Sequence, residues 1–246
     1  MSRYRGVTRI FLYNWPTYAG TWAGAVLLLA IAGHLPSWAS DVVLLGAATA
    51  LVWSIVSLLV SYYVYDASRL VRAEWLPGAL GIGARTWAMV HAGLDEELEL
   101  DAVMPGQRVA RLDIFDPRVM TAPSIERARA LTPRSSAAIR CTPDKLELPD
   151  RSCDVVVIAF SAHEIRDRLA RESFFREVHR VLRPGGRALL VEHLRDAANF
   201  LAFGPGFLHF ASRSEWLRVA ALASLGVSSE LRITPFVMAL TLARAA

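Results

Sequence analysis

Several things are scarce in this chain, and each absence narrows what it can be. Lysine is nearly missing. Lys145 is the only one, so almost all of the positive charge among 27 Lys and Arg against 23 Asp and Glu is arginine. The net charge of +4 and a pI near 9.4 would suit a nucleic-acid partner, but the arginines are spread along the chain rather than gathered into a patch. We therefore expect no nucleic acid. Cysteine is limited to Cys141 and Cys153, with no CxxC and no zinc-type spacing, which excludes a disulfide framework and leaves free thiols as the expectation. Charge is missing altogether from two stretches, Thr17–Ile31 and Val42–Val64.

Those uncharged runs carry the apolar excess of a chain that is 54% hydrophobic, with a mean hydropathy of +0.33. A bilayer-crossing helix needs about 20 apolar residues. The second run meets this alone, and the first does so if it begins near Phe11–Tyr13. A signal peptide would leave the second run stranded. A core helix would show a polar face, and Val42–Val64 has none. The reading is a transmembrane helical hairpin over residues 1–75, broken by His34–Asp41. Tyr13, Trp15, Tyr18, Trp22, Tyr62, Tyr63 and Tyr65 form an aromatic belt at one end and Trp38 marks the other. Arg3, Arg5 and Arg9 precede the first span and Arg69 and Arg72 follow the second, which places both termini and the remaining domain on the cytoplasmic side.

Residues 76–246 alternate strand and helix. Glu74–Gly83 reads as a Pro/Gly-rich linker. Strands are expected at Thr86–Val90, Arg108–Ile114, Ala137–Cys141, Val155–Phe160 and Ala188–Val191, and helices up to about Val103, over Ala122–Leu131 and over Ser212–Ser224. Val155–Phe160 is an unbroken β-branched run that suits a strand covered on both faces. Ile165, Leu169, Phe174, Val178, Val181 and Leu182 then follow at helical spacing, until Arg183-Pro184-Gly185-Gly186 ends the helix. Val227–Ile233 and Phe236–Leu242 form a closing hairpin at Pro235. The periodicity supports an α/β doubly wound sheet.

The segments LPDRSCDVVVIAF and FFREVHRVLRPGGRALLVEH resemble the fourth and fifth strands of class I S-adenosylmethionine-dependent methyltransferases, with Asp154 opening the fourth strand and VLRPGG preceding the fifth. The resemblance covers roughly Ala84 to Arg244. It implies a Rossmann-like methyltransferase sheet and S-adenosyl-L-methionine as cofactor. It places the cofactor loop at His91-Ala92-Gly93-Leu94-Asp95-Glu96, where one glycine stands in place of a GxGxG loop. It assigns the ribose-binding acid to Asp113 or Asp116. The family's acid near the adenine aligns with Thr142, and Phe160 closes the fourth strand. Cofactor contacts are accordingly expected at His91, Gly93, Asp95, Asp113, Asp116, Thr142 and Phe160.

Ligands of an open parallel sheet bind at the carboxyl ends of its strands, and there the sequence sets out His91 and Asp95, Asp113 and Asp116, His163 and Glu164, and Glu192 and His193. Plain structural roles compete: His163-Glu164 can cap a helix, and Glu192-His193 can begin a solvated ion-pair loop. The functional reading makes His163 or His193 a general base oriented by Glu164 or Glu192. Asn199–Phe210 (NFLAFGPGFLHF) carries four phenylalanines, too many for an exposed connection; it reads as plain core over the sheet, as a wedge into the bilayer surface, or as a substrate lid with Glu192, Phe203, Phe207 and His209 at the acceptor. Three functions stay open. The leading one is a membrane-anchored methyltransferase acting on a lipophilic acceptor, with no metal ligand assigned. A metal-dependent enzyme using His91, Asp95, His163, Glu164 and His193, and a non-catalytic membrane subunit, are the others. Homo-oligomerisation is left open.

Overall fold

The computed structural model describes residues 4–73, 75–80, 84–93, 100–132 and 137–245. Two long helices come first, α1 (Arg5–Ala32) and α2 (Ser37–Tyr62), and α2 runs on into a π-helical turn, Tyr63–Ala67. Both are long and apolar enough to cross a membrane. They pair side by side: Tyr18 and Ser57 share a hydrogen bond, the Trp22 indole donates to Ser54, and the Asp66 carboxylate caps the start of α1 by accepting from the amides of Gly6 (2.7 Å) and Val7 (2.8 Å). Gly6 is required there, because a Cβ would lie 2.6–2.9 Å from Tyr65. Helix α1 starts several residues earlier than the apolar run alone suggests, and the linking turn is shorter.

The helical hairpin leads into a mixed seven-stranded sheet ordered β3-β2-β1-β4-β5-β7-β6. Its strands are β1 (Thr86–His91), β2 (Gln107–Asp113), β3 (Ile139–Arg140), β4 (Cys153–Ala159), β5 (Leu182–His193), β6 (Leu225–Thr234) and β7 (Val237–Arg244). All neighbours from β3 to β5 are parallel, and β7 returns antiparallel to both β5 and β6. This is the doubly wound sheet with a closing antiparallel hairpin that the sequence predicts.

One face of the sheet is covered by α4 (Pro123–Leu131), α5 (Arg168–Val181) and α7 (Arg213–Leu222), which bury Ile125, Phe174, Phe175, Val178, Trp216 and Val219. The other face is covered by chain leaving the helical hairpin: Val64, Leu70, Trp75, Leu76 and Leu80 pack on Trp87, Met89, Val157 and Leu189, with a short α3 (Leu76–Leu80) among them. Trp75, Leu76, Ala79 and Leu80 of the expected linker are therefore core. Helix α5 begins at Arg168, not near Ile165, because Asp167 caps it by accepting from the Ala170 amide, and Leu169 points to solvent.

Arg183-Pro184-Gly185-Gly186 does not separate helix from strand. Leu182 already pairs with Cys153 and Arg187 with Val155, so these four residues form a bulge inside β5. Asp154 holds this end of the sheet by accepting from the amides of Arg85 and Thr86 and from the Arg183 guanidinium. Its role is to fasten strand starts, at the edge opposite the site.

Candidate functional site

Parallel strands bring their carboxyl ends to one edge, and a short α6 (Ala197–Phe203), a 3-10 turn (Gly204–His209) and the inner face of the helical hairpin close over it. The Trp53 indole on α2 donates to the carbonyl of Leu201 and packs edge-on against Phe200. Tyr13 on α1 hydrogen-bonds Thr132 after α4. Between helical hairpin and sheet edge lies a cavity of about 1290 Å³. Its wall from α1 and α2 is mixed, with Ile10, Val42, Leu45 and Trp53 set among Thr, Ser and Tyr hydroxyls, and its floor comes from Phe160, His163, Glu164 and His193, with Phe203, His209 and Phe210 at the side.

That floor is built from β4 and β5. The chain leaves β4 through Phe160 at φ +49, a left-handed conformation uncommon for a non-glycine residue, and enters the 3-10 turn Ala162–Glu164. This turn aims His163 and Glu164 inward, so neither caps α5. Glu192, 1% exposed, accepts from the His163 ring Nδ1 at 2.6 Å and from the amides of Ala162 (3.0 Å) and His163 (3.3 Å). The Glu192-His193 pair is thus buried, and the solvated ion-pair reading is set aside. Burial by itself would lower the His163 pKa, but Glu192 and Glu164 outweigh it and raise it to about 10. Burial likewise works against Glu164 ionisation, yet the hydrogen bonds from His163 and His209 hold its carboxyl far below the usual range.

His193 is the opposite case. Its Nδ1 lies 2.9 Å from the Phe236 carbonyl and 3.1 Å from Asn199 Oδ1, both acceptors for an Nδ1 proton. That leaves the Nε2 lone pair to accept from the Tyr65 hydroxyl at 2.8 Å. Burial, then the charge of His163, pushes its pKa down to about 4, so the ring is neutral. Tyr65, at the π-turn of the helical hairpin, therefore turns into the site and not to a bilayer interface. Tyr13 and Tyr18 are buried too, and only part of the expected aromatic belt faces outward.

The β1 and β2 ends are differently arranged. Gly93 adopts φ +92, and Arg129 of α4 reaches across it: the guanidinium binds both Asp113 oxygens (2.9 and 2.8 Å) and the carbonyl of Ala92. Burial would raise Asp113, but Arg129 overrides it and the carboxyl sits below its ordinary pKa. Asp116 is similarly lowered, chiefly by its hydrogen bond from Arg118. The His91 Nδ1 accepts from the Gly93 amide. Thr142 forms a tight turn with Lys145, away from the cavity. Asp95 lies outside the described residues. Of the expected cofactor contacts, Phe160 is the one that lines the cavity.

Of the expected acceptor contacts, Phe203 and His209 line the cavity, Phe207 packs against Phe200 behind it, and Glu192 acts from beneath through His163. His163, Glu164 and His209 converge, whereas His91 and His193 of the wider metal-ligand set do not join them. The sequence reading missed Arg129 and Trp53 as site residues and placed Tyr65 in the belt. A buried arginine has no local signature, but an isolated aromatic in an uncharged helix is a usable signal for docking.

Residues 100–190 match the model of a methyltransferase domain. Over 140 residues the chain is 29% identical to the ubiquinone/menaquinone biosynthesis C-methyltransferase UbiE of Syntrophotalea carbinolica, covering 54% of this chain and 53% of that one. The chain thus spans about half the length of that curated relative. Among solved structures it is similar to a SAM-dependent methyltransferase from Aquifex aeolicus (17% identity, TM-score 0.53, covering 78% of this chain and 97% of that one). It is also similar to the [4+2]-cyclase SpnF (16% identity, TM-score 0.51, covering 74% and 82%). At these identities the solved structures speak for the fold alone, and that fold hosts more than one reaction.

Proposed function

We propose that this chain, which belongs to the class I S-adenosylmethionine-dependent methyltransferases, methylates a lipophilic acceptor that reaches the sheet edge from a membrane. The observation that carries the proposal is the shared cavity: its walls are membrane-type helices and its floor is the set of polar residues at the ends of β4 and β5. In α1 and α2 only 17% and 11% of the most apolar windows are buried, against what a core helix would require, so the outward Val, Leu and Ile side chains are placed to meet lipid. Leu201 and Leu208 are exposed beside the Trp53 contact, and extend that apolar surface onto the domain. With arginines at the outer ends of the helical hairpin, the domain faces the cytoplasm.

S-adenosylmethionine is the cofactor of this family, and it supplies a methyl group activated on a sulfonium. The β1–β2 edge fits it on one condition. Gly93 offers close backbone approach, since the space a Cβ would fill is bounded by the movable end of Arg129 at 2.7 Å and not by backbone. Asp113 offers two oxygens for two ribose hydroxyls, once Arg129 gives them up. Gly93, Asp113 and Phe160 are then the residues that hold the cofactor.

At the acceptor end, a phenol or hydroquinone becomes nucleophilic at carbon or oxygen when its hydroxyl ionises. The neutral His193, with its Nε2 lone pair bridged by Tyr65, is placed to take that proton, and the positive His163 ring stabilises the oxygen anion left behind. The apolar part of the helical wall, Ile10, Val42, Leu45, Ala50 and Trp53, accommodates a prenyl or acyl tail. UbiE, the curated relative, is named for ubiquinone and menaquinone biosynthesis, which supports a quinone-type head group here.

The test uses purified protein in micelles, cofactor labelled in its methyl group, and two acceptors: a prenylated hydroquinone and the same head group without its tail. We expect kcat/KM at least about tenfold higher for the prenylated compound, equivalent to roughly 1.4 kcal/mol of tail burial. Equal rates with both acceptors, or no transfer to either, defeat the proposal. One observation favours a non-catalytic subunit instead, namely the closure of Asp113 by Arg129. Absence of S-adenosylhomocysteine binding in a titration would decide for that reading.

A further inference from the structure

We infer that His163, Glu164 and His209 form a binding site for a divalent first-row transition-metal ion, with its open coordination positions facing the cavity. The ligand atoms of these three residues all lie within 4.8 Å of one another. Glu164 Oε1 is 3.5 Å from His163 Nε2 and 3.2 Å from His209 Nε2. Ligands on a tetrahedral ion with bonds of about 2.0–2.2 Å stand about 3.4 Å apart. Two of the three ligand pairs thus already hold the spacing an ion would impose, and the third stays within 4.8 Å.

Three further features point to a cation and not merely to a polar cluster. Glu164 is 2% exposed and lines the cavity, yet its Oε2 has no hydrogen-bond partner among the described residues. A buried carboxylate oxygen left open is costly unless something positive occupies the space before it. Glu192 then fixes His163 as a metal-binding histidine is usually fixed: the carboxylate accepts a hydrogen bond from Nδ1 at 2.6 Å, which turns Nε2 toward Glu164, where an ion would displace its proton. Finally, two buried carboxylates, Glu164 and Glu192, face two imidazoles and no Lys or Arg side chain bonds either carboxylate among the described residues. The cluster demands positive charge.

Two imidazoles and one carboxylate on one side of an ion, with the remaining positions open, suit zinc or iron(II) better than calcium or magnesium, which prefer all-oxygen sites. One contact must yield. The Arg166 guanidinium lies 3.3 Å from His209 Nδ1, and that nitrogen carries the proton once Nε2 is bound to metal. The Arg166 hydrogen bond to the His209 carbonyl, at 2.7 Å, is unaffected. An ion here would take an oxygen of whatever fills the cavity. That consequence rests on the acceptor reading above, but the site itself does not.

The experiment measures metal binding alone, with neither cofactor nor acceptor. The protein in micelles is stripped with chelator and titrated with zinc by calorimetry, and with cobalt(II) by visible absorption. We expect stoichiometric zinc binding and cobalt ligand-field bands of a mixed nitrogen–oxygen site. His209 is partly exposed, so His209→Ala should fold normally and lose the bands, while Glu192→Gln, which removes only the orienting carboxylate, should weaken zinc roughly 10–100-fold. Failure of the parent protein to bind either ion overturns the inference. So does unchanged affinity in both His209→Ala and His163→Ala.

Discussion

The two halves of the sheet edge are built on opposite plans. At the ends of β1 and β2 the chain satisfies its own charges: Arg129 holds both oxygens of Asp113 and lies over Gly93, and Arg118 holds Asp116. At the ends of β4 and β5 it turns polar side chains toward a cavity, with His163, Glu164 and the Tyr65–His193 pair at the floor and, among the described residues, no hydrogen-bond partner for the buried Glu164 Oε2. On the proposed cofactor reading, the first half must exchange an internal ion pair for a ligand, whereas the second needs no such exchange. Ligand binding at the closed half is therefore coupled to a side-chain movement, and at the open half it is not.

The largest effect should come from unlatching the closed half. Arg129→Ala leaves Asp113 buried without its partner, and breaking a buried pair in this way costs about 3–5 kcal/mol. The melting temperature should fall accordingly. Saturating S-adenosylhomocysteine should then raise it by more in the variant than in the parent, because the ligand no longer competes with Arg129. Calorimetric melting with and without the ligand reads both quantities. An equal or smaller ligand-induced shift in the variant would mean that Arg129 does not stand in the cofactor's place.

The open half can be probed by acid. The unfolded His193 ring takes a proton near 6.5, but the folded ring resists until about 4, so the unfolded state binds more protons between those values. The contribution of His193 is complete above pH 6.5 and is lost as pH falls toward 4, by roughly 3 kcal/mol at 1.36 kcal/mol per decade. The groups around the ring are the Tyr65 hydroxyl, Asn199 and the Phe236 carbonyl, with the charges of His163 and Asp196 acting on it from further away. Urea midpoints of parent and His193→Gln across this range should converge toward pH 4. Parallel curves would contradict a neutral buried imidazole.

The contrast between the halves was only partly legible in the chain. Local signals went far toward the fold: the β-branched run of β4 suited a covered strand, and Phe174, Val178 and Val181 recurred at helical spacing on the face that packs on the sheet. The bulge at Arg183–Gly186 was not legible, because whether a Pro-Gly-Gly segment turns or bulges depends on when the next strand begins to pair, and Leu182 pairs at once with Cys153. The strand-end histidines and acids could be gathered at one edge by topology alone. What each one meets could not. Arg129 reaches Asp113 from 16 residues away, His209 reaches Glu164 from 45, and Tyr65 reaches His193 from 128. Such pairings are set by how α4, the α6 turn and the helical hairpin dock, and no periodicity encodes docking.

The smallest expected effect separates pocket from core within one residue type. Phe174 is fully buried between α5 and the sheet, and Phe174→Ala should cost about 3–5 kcal/mol through lost burial and the cavity left behind. Phe203 lies at the cavity wall, with its ring edge-on to His193 and Phe210, and is only partly buried. Truncation there removes wall that a tail would touch, but little that the free protein needs. Phe203→Ala should cost less than about 1 kcal/mol of stability and raise KM for a prenylated acceptor roughly tenfold with kcat little changed, because the lost contact serves bound substrate and transition state alike. Steady-state kinetics beside a melting curve gives both numbers from one preparation. A large fall in melting temperature with unchanged KM would place Phe203 in the core and leave the cavity without an apolar recognition wall on the domain side.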